Sequence, residues 1–429
     1  MNSHHEVIVV GAGAAGLAAG VRLHNAGIDV LVIEAAERTG GRAFTDTATF
    51  GVAWDRGCHW LHSASVNPLR AAADELGLTY LARGSRQARA THLGERWANE
   101  AEREEVWRAI DGGFAAIHRA GDEGRDIAAS EAIDASSPWI RLIRHWATLM
   151  TAAEIEKVST LDYAAYSDTA ENYPVEKGYG ALVQAVANKA APNLAVVTGC
   201  PVTRIDWSGA DVALETPRGR LTARAVIVAV PTTVIARGAL TFAPLLPVEL
   251  AEAFEALPLG AAEKVAFQFD RDVFGVPATT YVDTIDLRDP DRRPINFTLN
   301  PFGAHMAIGQ LGGDNAAGLV RAGPKAMEDF GLAALKDAFG ADIARHVTGV
   351  ATTSWVADPF IGGAYSCALP GLAHRRARLS QTLVQPLGER VFFAGEAVSA
   401  HAYSTAHGAH LTGQAAADAA LALLAGRAA

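Results

Sequence analysis

The chain has 429 residues, half of them hydrophobic and a fifth charged, which is enough for a large buried core and for two domains. A formal net charge of −10, with no dense lysine or arginine run, argues against nucleic acid as the main partner and leaves room for cationic small molecules. The three scattered cysteines, Cys58, Cys200 and Cys367, have neither disulfide-framework nor metal-site spacing, so a reduced cytosolic setting is expected.

At the front, "HEVIVVGAGAAGLAAGVRLHNAGIDVLVIEAAERTGGR" sets a buried strand, Val7 to Val10, directly before Gly11-x-Gly13-x-x-Gly16 and an alanine-rich helix. A second apolar run, Val30 to Ile33, ends in Glu34. Strand, glycine turn, helix, strand and acid together form the unit that seats a pyrophosphate on a helix N-terminus and a carboxylate on a ribose hydroxyl. The acid suits FAD or NAD better than NADP, whose extra phosphate asks for an arginine. Just beyond it, Arg38 and Arg42 flank a glycine pair, where two cations can neutralise an extended diphosphate. The first strand starts by about Glu6, so no signal peptide is expected.

In "WDRGCHWLHSASVNPL" (54–69), Asn67-Pro68 reads as the N-cap and first residue of a helix over "PLRAAADELGL". Residues 95–160 contain helical stretches with charged, solvated faces, and "ENYPVEKGYGALVQAVANKA" a glycine turn leading into an amphipathic helix. "VVTGCPVTRIDW" and "RAVIVAVPTTVI" read as two strands separated by the turn-rich "SGADVALETPRGRLTA". In "GAAEKVAFQF", Val265, Phe267 and Phe269 share one face of a strand, and Lys264, Ala266 and Gln268 share the other. "DTIDLRDPDRRPINFTL" is a charged hairpin, and "GPKAMEDFGLAALKDAFG" a helix. "ERVFFAGEAVSAHAYSTAHGAHLTGQAAADAAL" runs from a strand, Val391 to Ala394, through Gly395-Glu396 and a loop into a helix starting near Ala406. His401, His407 and His410 have no carboxylate motif beside them, so no metal is expected. The apolar tail is too short and too rich in alanine for a membrane span. A soluble cytoplasmic protein is expected.

Five of these segments resemble the flavin-containing amine oxidase family, in order and over nearly the whole chain: the front fingerprint continuing into GGR, residues 54–69, the pair around Val202, "TTSWVADPFIGGAYSCALPG", and the closing segment. The resemblance implies that Gly11, Gly13, Ala14, Ala15, Gly16, Glu34, Ala35, Arg38, Gly41 and Arg42 hold FAD. It implies further that Trp60 and Leu61 pass beside the flavin ring, that His62 faces the substrate, that the backbone of Val202 meets the adenine, and that Trp355, on a strand, lies against the ring. Gly395 and Glu396 would meet the ribityl and phosphate region, and the helix from Ala406 would aim its dipole at the pyrimidine end. Ser63 departs from the pattern, standing where the family usually has glycine.

Lys264 matches a family lysine whose ammonium holds a water close to the flavin N5. The face it shares with Ala266 and Gln268 would then line the flavin cavity. Monoamine oxidases frame the amine between two tyrosines and attach the flavin through a cysteine next to one of them. Here Tyr365 is kept and Ala364 replaces the cysteine, so FAD is expected to be non-covalent. The second tyrosine falls near Thr405, which leaves the cage incomplete unless Tyr403 swings in. This favours a polyamine or another secondary or primary amine, for which Asp168 and Glu171 are candidate anchors by location.

The implied fold is α/β with mixed α+β character: a Rossmann-like FAD-binding domain interleaved with a substrate domain of mixed sheet and helices. The FAD-binding domain is expected over 1–80, 178–240 and 385–429, and the substrate domain over 81–177 and 241–384. The implied reaction is hydride transfer from the amine α-carbon to flavin N5, giving an imine that hydrolyses to an aldehyde or ketone, with O2 reduced to H2O2. A flavin desaturase or dehydrogenase acting on a carotenoid- or tetrapyrrole-like substrate shares the front fingerprint and is the alternative. A flavoprotein that has lost its chemistry and serves as a scaffold is a third reading, though no basic patch or extra domain accompanies it. A homodimer is implied by the resemblance alone.

Overall fold

The strand His4–Val10 buries Val7 and Val9 in one core and Ile8 and Val10 in another, so it is covered on both faces, as apolar parallel strands are. The structure, a computed structural model, describes residues 3–83 and 89–426. Around that strand stands an eight-stranded sheet in the order Thr241–Ala243, Arg204–Asp206, Val212–Thr216, Gly219–Val228, His4–Val10, Val30–Ile33 and Ala195–Val197. Val391–Phe393 also pairs with Gly219–Val228. The centre is parallel and the Val212–Thr216 side antiparallel. The helix Ala14–Asn25 packs so tightly on the closing helix Ala406–Gly426 that a Cβ on Gly413 would lie 2.1 Å from the carbonyl oxygen of Ala15.

Three expectations change here. The stretch read as a turn-rich separator, 208–223, folds as a hairpin with Leu214 opposite Leu221. Thr241–Ala243 pairs with Arg204–Asp206, and the helix Val248–Ala256 buries Leu250, Ala253 and Phe254 in the same core. Leu379, from the helix His374–Ser380, joins them. The cofactor-side unit therefore runs past 240 to about Leu257, and its last piece begins before 385. Trp355 sits in a short 3-10 turn, Trp355–Ala357, after the strand Val347–Thr352 and not on it.

The second sheet has six strands in the order Val347–Thr352, Ala262–Phe269, Met306–Gly312, Ile295–Leu299, Thr280–Thr284 and Arg89–His92. Val265, Phe267 and Phe269 pack under the helix Pro324–Phe339. A third core is helical, built from Val106, Ile110 and Ile117 of Glu100–Asp122 against Leu142 and Ile143 of Ile140–Thr151. Asn99 and Glu102 close the first of these helices with a reciprocal capping box. Among the described residues, no helix is long and apolar enough to cross a membrane.

Candidate active site

The glycine turn is dictated by contact. Gly11 takes φ +101°, and a Cβ there would lie 2.7 Å from the Ala229 carbonyl oxygen. A Cβ on Gly16 would lie 1.7 Å from the Gly11 oxygen, so only glycine lets the helix start this close to the strand. Gly13 differs: it has ordinary backbone angles, and a Cβ on it would meet nothing within 4 Å. Gly395 is likewise open on that side. Both line a single cavity of about 700 Å³ bounded by the two sheets and the helical layer.

This end of the cavity fits a dinucleotide. The N-terminus of the helix Ala14–Asn25 opens into it, presenting free N–H groups to an anion. The buried carboxylate of Glu34 closes the turn from the other side, accepting from Ala12 N at 2.6 Å and Ala36 N at 2.8 Å. Arg38 donates to the Gly41 carbonyl at 2.8 Å and lies 4.0 Å over the Phe44 ring. Arg42 reaches across to Glu396 at 3.0 Å. Burial pushes the Glu396 carboxyl up, but Arg42, Ser366 and Arg376 together outweigh it and hold it below the usual range. Ala35, Gly41 and Val202 line the same end. Gly16 and Leu61 do not reach the cavity: Gly16 is in the helix contact just described, and Leu61 is fully buried in the core beside Leu69.

Lys264 lines the same cavity. Its ammonium donates to the carbonyl oxygens of Asp55 at 2.7 Å and Gly57 at 2.6 Å, with His59 Nδ1 at 3.2 Å. Burial lowers Lys264 to about 8, against the opposing pull of Asp55 and Cys58. Burial, Lys264 and His62 together hold His59 well below the usual histidine value, so it is neutral here. Of the face that Lys264 shares with Ala266 and Gln268, only Lys264 reaches the cavity, next to Ala262 at the start of the strand. Ala266 packs against Phe50 and Trp54, and Gln268 donates to the Phe50 carbonyl at 2.9 Å, because the 50–57 segment covers that face. Trp355 lines the wall and donates to the Arg56 carbonyl at 3.0 Å.

Trp60, His62, His118, Leu149, Tyr163, Tyr166 and Tyr365 line an aromatic part of the same cavity, called the chamber below. His62 pairs with Asn172 Oδ1 at 2.6 Å, and burial lowers its pKa, partly offset by Asn172 and Asp168. The Tyr365 hydroxyl donates to the Leu149 carbonyl.

Thr405 and Tyr403 line the wall, but neither is free to complete a cage. The Thr405 hydroxyl accepts from Gly408 N at 3.0 Å and so caps the helix that begins at Ala406. Tyr403 is pinned, with its ring 3.9 Å from the Arg376 guanidinium and its hydroxyl donating to the Asp162 carbonyl at 2.7 Å. Tyr166 stands edge-on to Tyr403 at 5.5 Å. Sequence reasoning missed Tyr166, Tyr163 and His59. The first two are three residues apart around the end of the helix Thr160–Ala165, a spacing that puts them on one face and could have marked them.

Comparison with known proteins places this geometry. Residues 14–421 match the family described as flavin containing amine oxidoreductase. The human lysine-specific histone demethylase 2 is 27% identical over 95% of this chain, and the chain spans about half (52%) of that protein's length. Polyamine oxidase 2 of Arabidopsis thaliana is 29% identical, over 96% of this chain and 87% of its own. A putrescine oxidase redesigned in its cofactor binding superposes with a TM-score of 0.78 at 20% identity, covering 98% of this chain and 99% of its own, which establishes a shared fold.

Proposed function

The chain belongs to the flavin-containing amine oxidoreductase family, and on that premise we propose that it is an oxidase of a polyamine or another primary or secondary amine, using non-covalently bound FAD. The observation that carries this reading is Lys264: a lysine ammonium buried at the wall of the one cavity that both the glycine turn and the aromatic chamber line. The chemistry that FAD supplies when bound is the acceptance of two electrons from the C–H bond beside the amine nitrogen, with O2 as the final acceptor and H2O2 as its product.

The chain's own residues do the rest. Gly13, Gly395 and the helix N-terminus give room and N–H donors for the diphosphate, and Arg38 the neutralising charge. The chamber walls are largely aromatic and apolar, which favours the neutral form of an amine held there. His62, neutral and tied to Asn172, offers the substrate a hydrogen-bonding edge without adding charge. Lys264 fixes a positive charge where negative charge develops as electrons pass to the acceptor. The imine that leaves is hydrolysed by water to an aldehyde or ketone and an amine.

Two features support non-covalent attachment. Ala364 lines the cavity where a linking cysteine would stand, and burial pushes the Cys58 thiol up to about 12, leaving it a poor nucleophile. Acid precipitation of the purified protein is then expected to leave all the yellow colour in the supernatant. The activity itself is tested by anaerobic mixing with spermidine, spermine, putrescine, benzylamine and a cyclic secondary amine. Bleaching of the flavin band by at least one is expected; a flavin-loaded protein that none of them bleaches overturns the reading.

A further inference from the structure

Several charges on the cavity wall are matched by ion pairs. Glu396 pairs with Arg42, Asp162 with Arg376, and Arg89 with Asp283. Asp168, an exposed residue at the cavity wall, is not matched in this way. It lines the cavity and accepts a hydrogen bond from Ala170 N at 2.8 Å, yet among the described residues no cation pairs with it. Its charge is felt across the chamber: it favours the protonated forms of His62, Tyr163 and Tyr166. Glu171, the other carboxylate nearby, is occupied by Ser65 N at 3.1 Å and does not line the cavity.

Asp168 sits on a short loop, and Ser63 holds that loop. Ser63 is fully buried and takes φ +49°, the left-handed region where residues other than glycine are uncommon. Its hydroxyl donates to the Ser167 carbonyl at 3.2 Å and faces Thr169 N at 3.4 Å, so it bridges the residues on either side of Asp168. The next links run the same way, Ala64 N to the Glu171 carbonyl at 2.9 Å and His62 to Asn172 at 2.6 Å. A glycine at 63 would adopt this backbone without strain but would offer no hydroxyl. The position therefore accepts an unfavourable conformation in return for two contacts to the Asp168 loop.

We propose that Asp168 anchors the second ammonium of a diamine or polyamine, and that Ser63 is a positioning residue that fixes Asp168 for this task. The partner is a dication: one nitrogen enters the chamber to be oxidised, and the other, still protonated, meets the Asp168 carboxylate beside the Tyr166 ring. A carboxylate–ammonium contact and a neighbouring aromatic face are the two features that recognise such a group. The inference rests on the amine oxidase reading above.

The test compares putrescine with butylamine, which has the same carbon chain and one nitrogen fewer. The wild-type enzyme is expected to prefer putrescine in kcat/KM. Asp168→Asn is expected to cut that preference by about tenfold, mainly through a raised KM for putrescine. Calorimetric binding of putrescine to the dithionite-reduced enzyme should weaken by a similar factor, a readout independent of turnover. Ser63→Gly should lose part of the preference while melting no lower than wild type, and Ser63→Thr should retain more of it than Ser63→Gly.

If amines bleach the flavin but wild type shows no preference for putrescine, or Asp168→Asn keeps it in full, the Asp168 anchor is wrong and the oxidase reading stands. An unchanged preference in Ser63→Gly overturns the role of Ser63 alone. A wild type that no amine bleaches overturns the underlying reading instead.

Discussion

The ammonium nitrogen of Lys264 lies 3.2 Å from Nδ1 of His59, and the carbonyl oxygens of Asp55 and Gly57 complete a ring of acceptors around it. Three acceptors match the three donors of a lysine ammonium. A neutral His59 must accept at Nδ1 and so carry its proton on Nε2. The arrangement keeps a cation at the cavity wall even though burial lowers Lys264 from 10.5 to about 8.

That lowered value gives a pH prediction. Below about 8 the group is charged in both folded and unfolded chains, and its burial costs stability. Between about 8 and 10.5 the unfolded chain binds more protons, so this group's contribution to stability rises with pH. Function runs the other way, because the cation is lost as pH passes about 8. Reoxidation of the reduced enzyme by O2, followed by stopped flow, should slow above that pH. In Lys264→Met the rate should be roughly a hundredfold lower and should show no inflection there. An inflection near the same pH in the variant would assign it to another group.

The glycine turn separates a fold requirement from a ligand requirement. Gly13→Ala adds a methyl that meets no protein atom within 4 Å but projects into the cavity, so the variant should fold with an unchanged apoprotein melting temperature. Its FAD affinity should fall by roughly tenfold or more, the expected cost of blocking close backbone approach to a pyrophosphate. Gly16→Ala puts its methyl 1.7 Å from the Gly11 oxygen and should yield little folded protein. Fluorescence titration with FAD and a melting curve for each variant check the pair. Equal FAD affinity in Gly13→Ala and wild type would mean the diphosphate does not pass that point.

How far the sequence was legible depends on how local each signal is. The path from Val7 to Glu34 lies within thirty residues, and each step has its own signature, so strand, turn, helix and acid could be read directly. The strand Thr241–Ala243 has no local signature, because its partner, Arg204–Asp206, lies some forty residues back and parallel pairing leaves no turn to announce it. For Lys264, Ala266 and Gln268, alternation revealed two faces but not what covers each. The 50–57 segment that seals the face over Ala266 is two hundred residues away. Thr405 illustrates a third limit: a hydroxyl at a helix start serves as a cap as readily as a substrate contact, and only the hydrogen-bond partner tells them apart. His59 acquires its setting from Lys264, a distant contact that no local pattern encodes.

Arg376 and Asp162 form a buried bidentate pair, Nε to Oδ1 at 2.7 Å and Nη2 to Oδ2 at 2.8 Å, joining the helix Thr160–Ala165 to the helix His374–Ser380. Ser366 and the Tyr403 ring extend the contact to the 395–405 loop. Removing one partner leaves the other charge buried, which typically costs about 3–5 kcal/mol. Arg376→Leu should therefore melt well below wild type, with loss of bound flavin on the same transition. Asp162→Asn paired with Arg376→Leu should recover part of the loss, because no uncompensated charge remains. A double variant no more stable than Arg376→Leu would show that the charge is not what matters there.

Thr405 tests the boundary between structure and chemistry. Its hydroxyl donates to the Ala402 carbonyl at 2.6 Å and accepts from Gly408 N at 3.0 Å, so both of its hydrogen-bonding roles are used within the helix start. Thr405→Ala loses the cap and should destabilise the protein by about 0.5–2 kcal/mol, and Thr405→Ser should restore most of that. The helix it caps lines the cavity at Ala406 and Ala409, so the loss is read first as a lower melting temperature of the flavin-loaded protein. Below that temperature kcat and the amine KM should stay within about twofold of wild type, the margin expected of a residue that acts only through stability. A fall in kcat of tenfold or more at unchanged stability, rescued by serine, would instead put the hydroxyl in contact with the substrate.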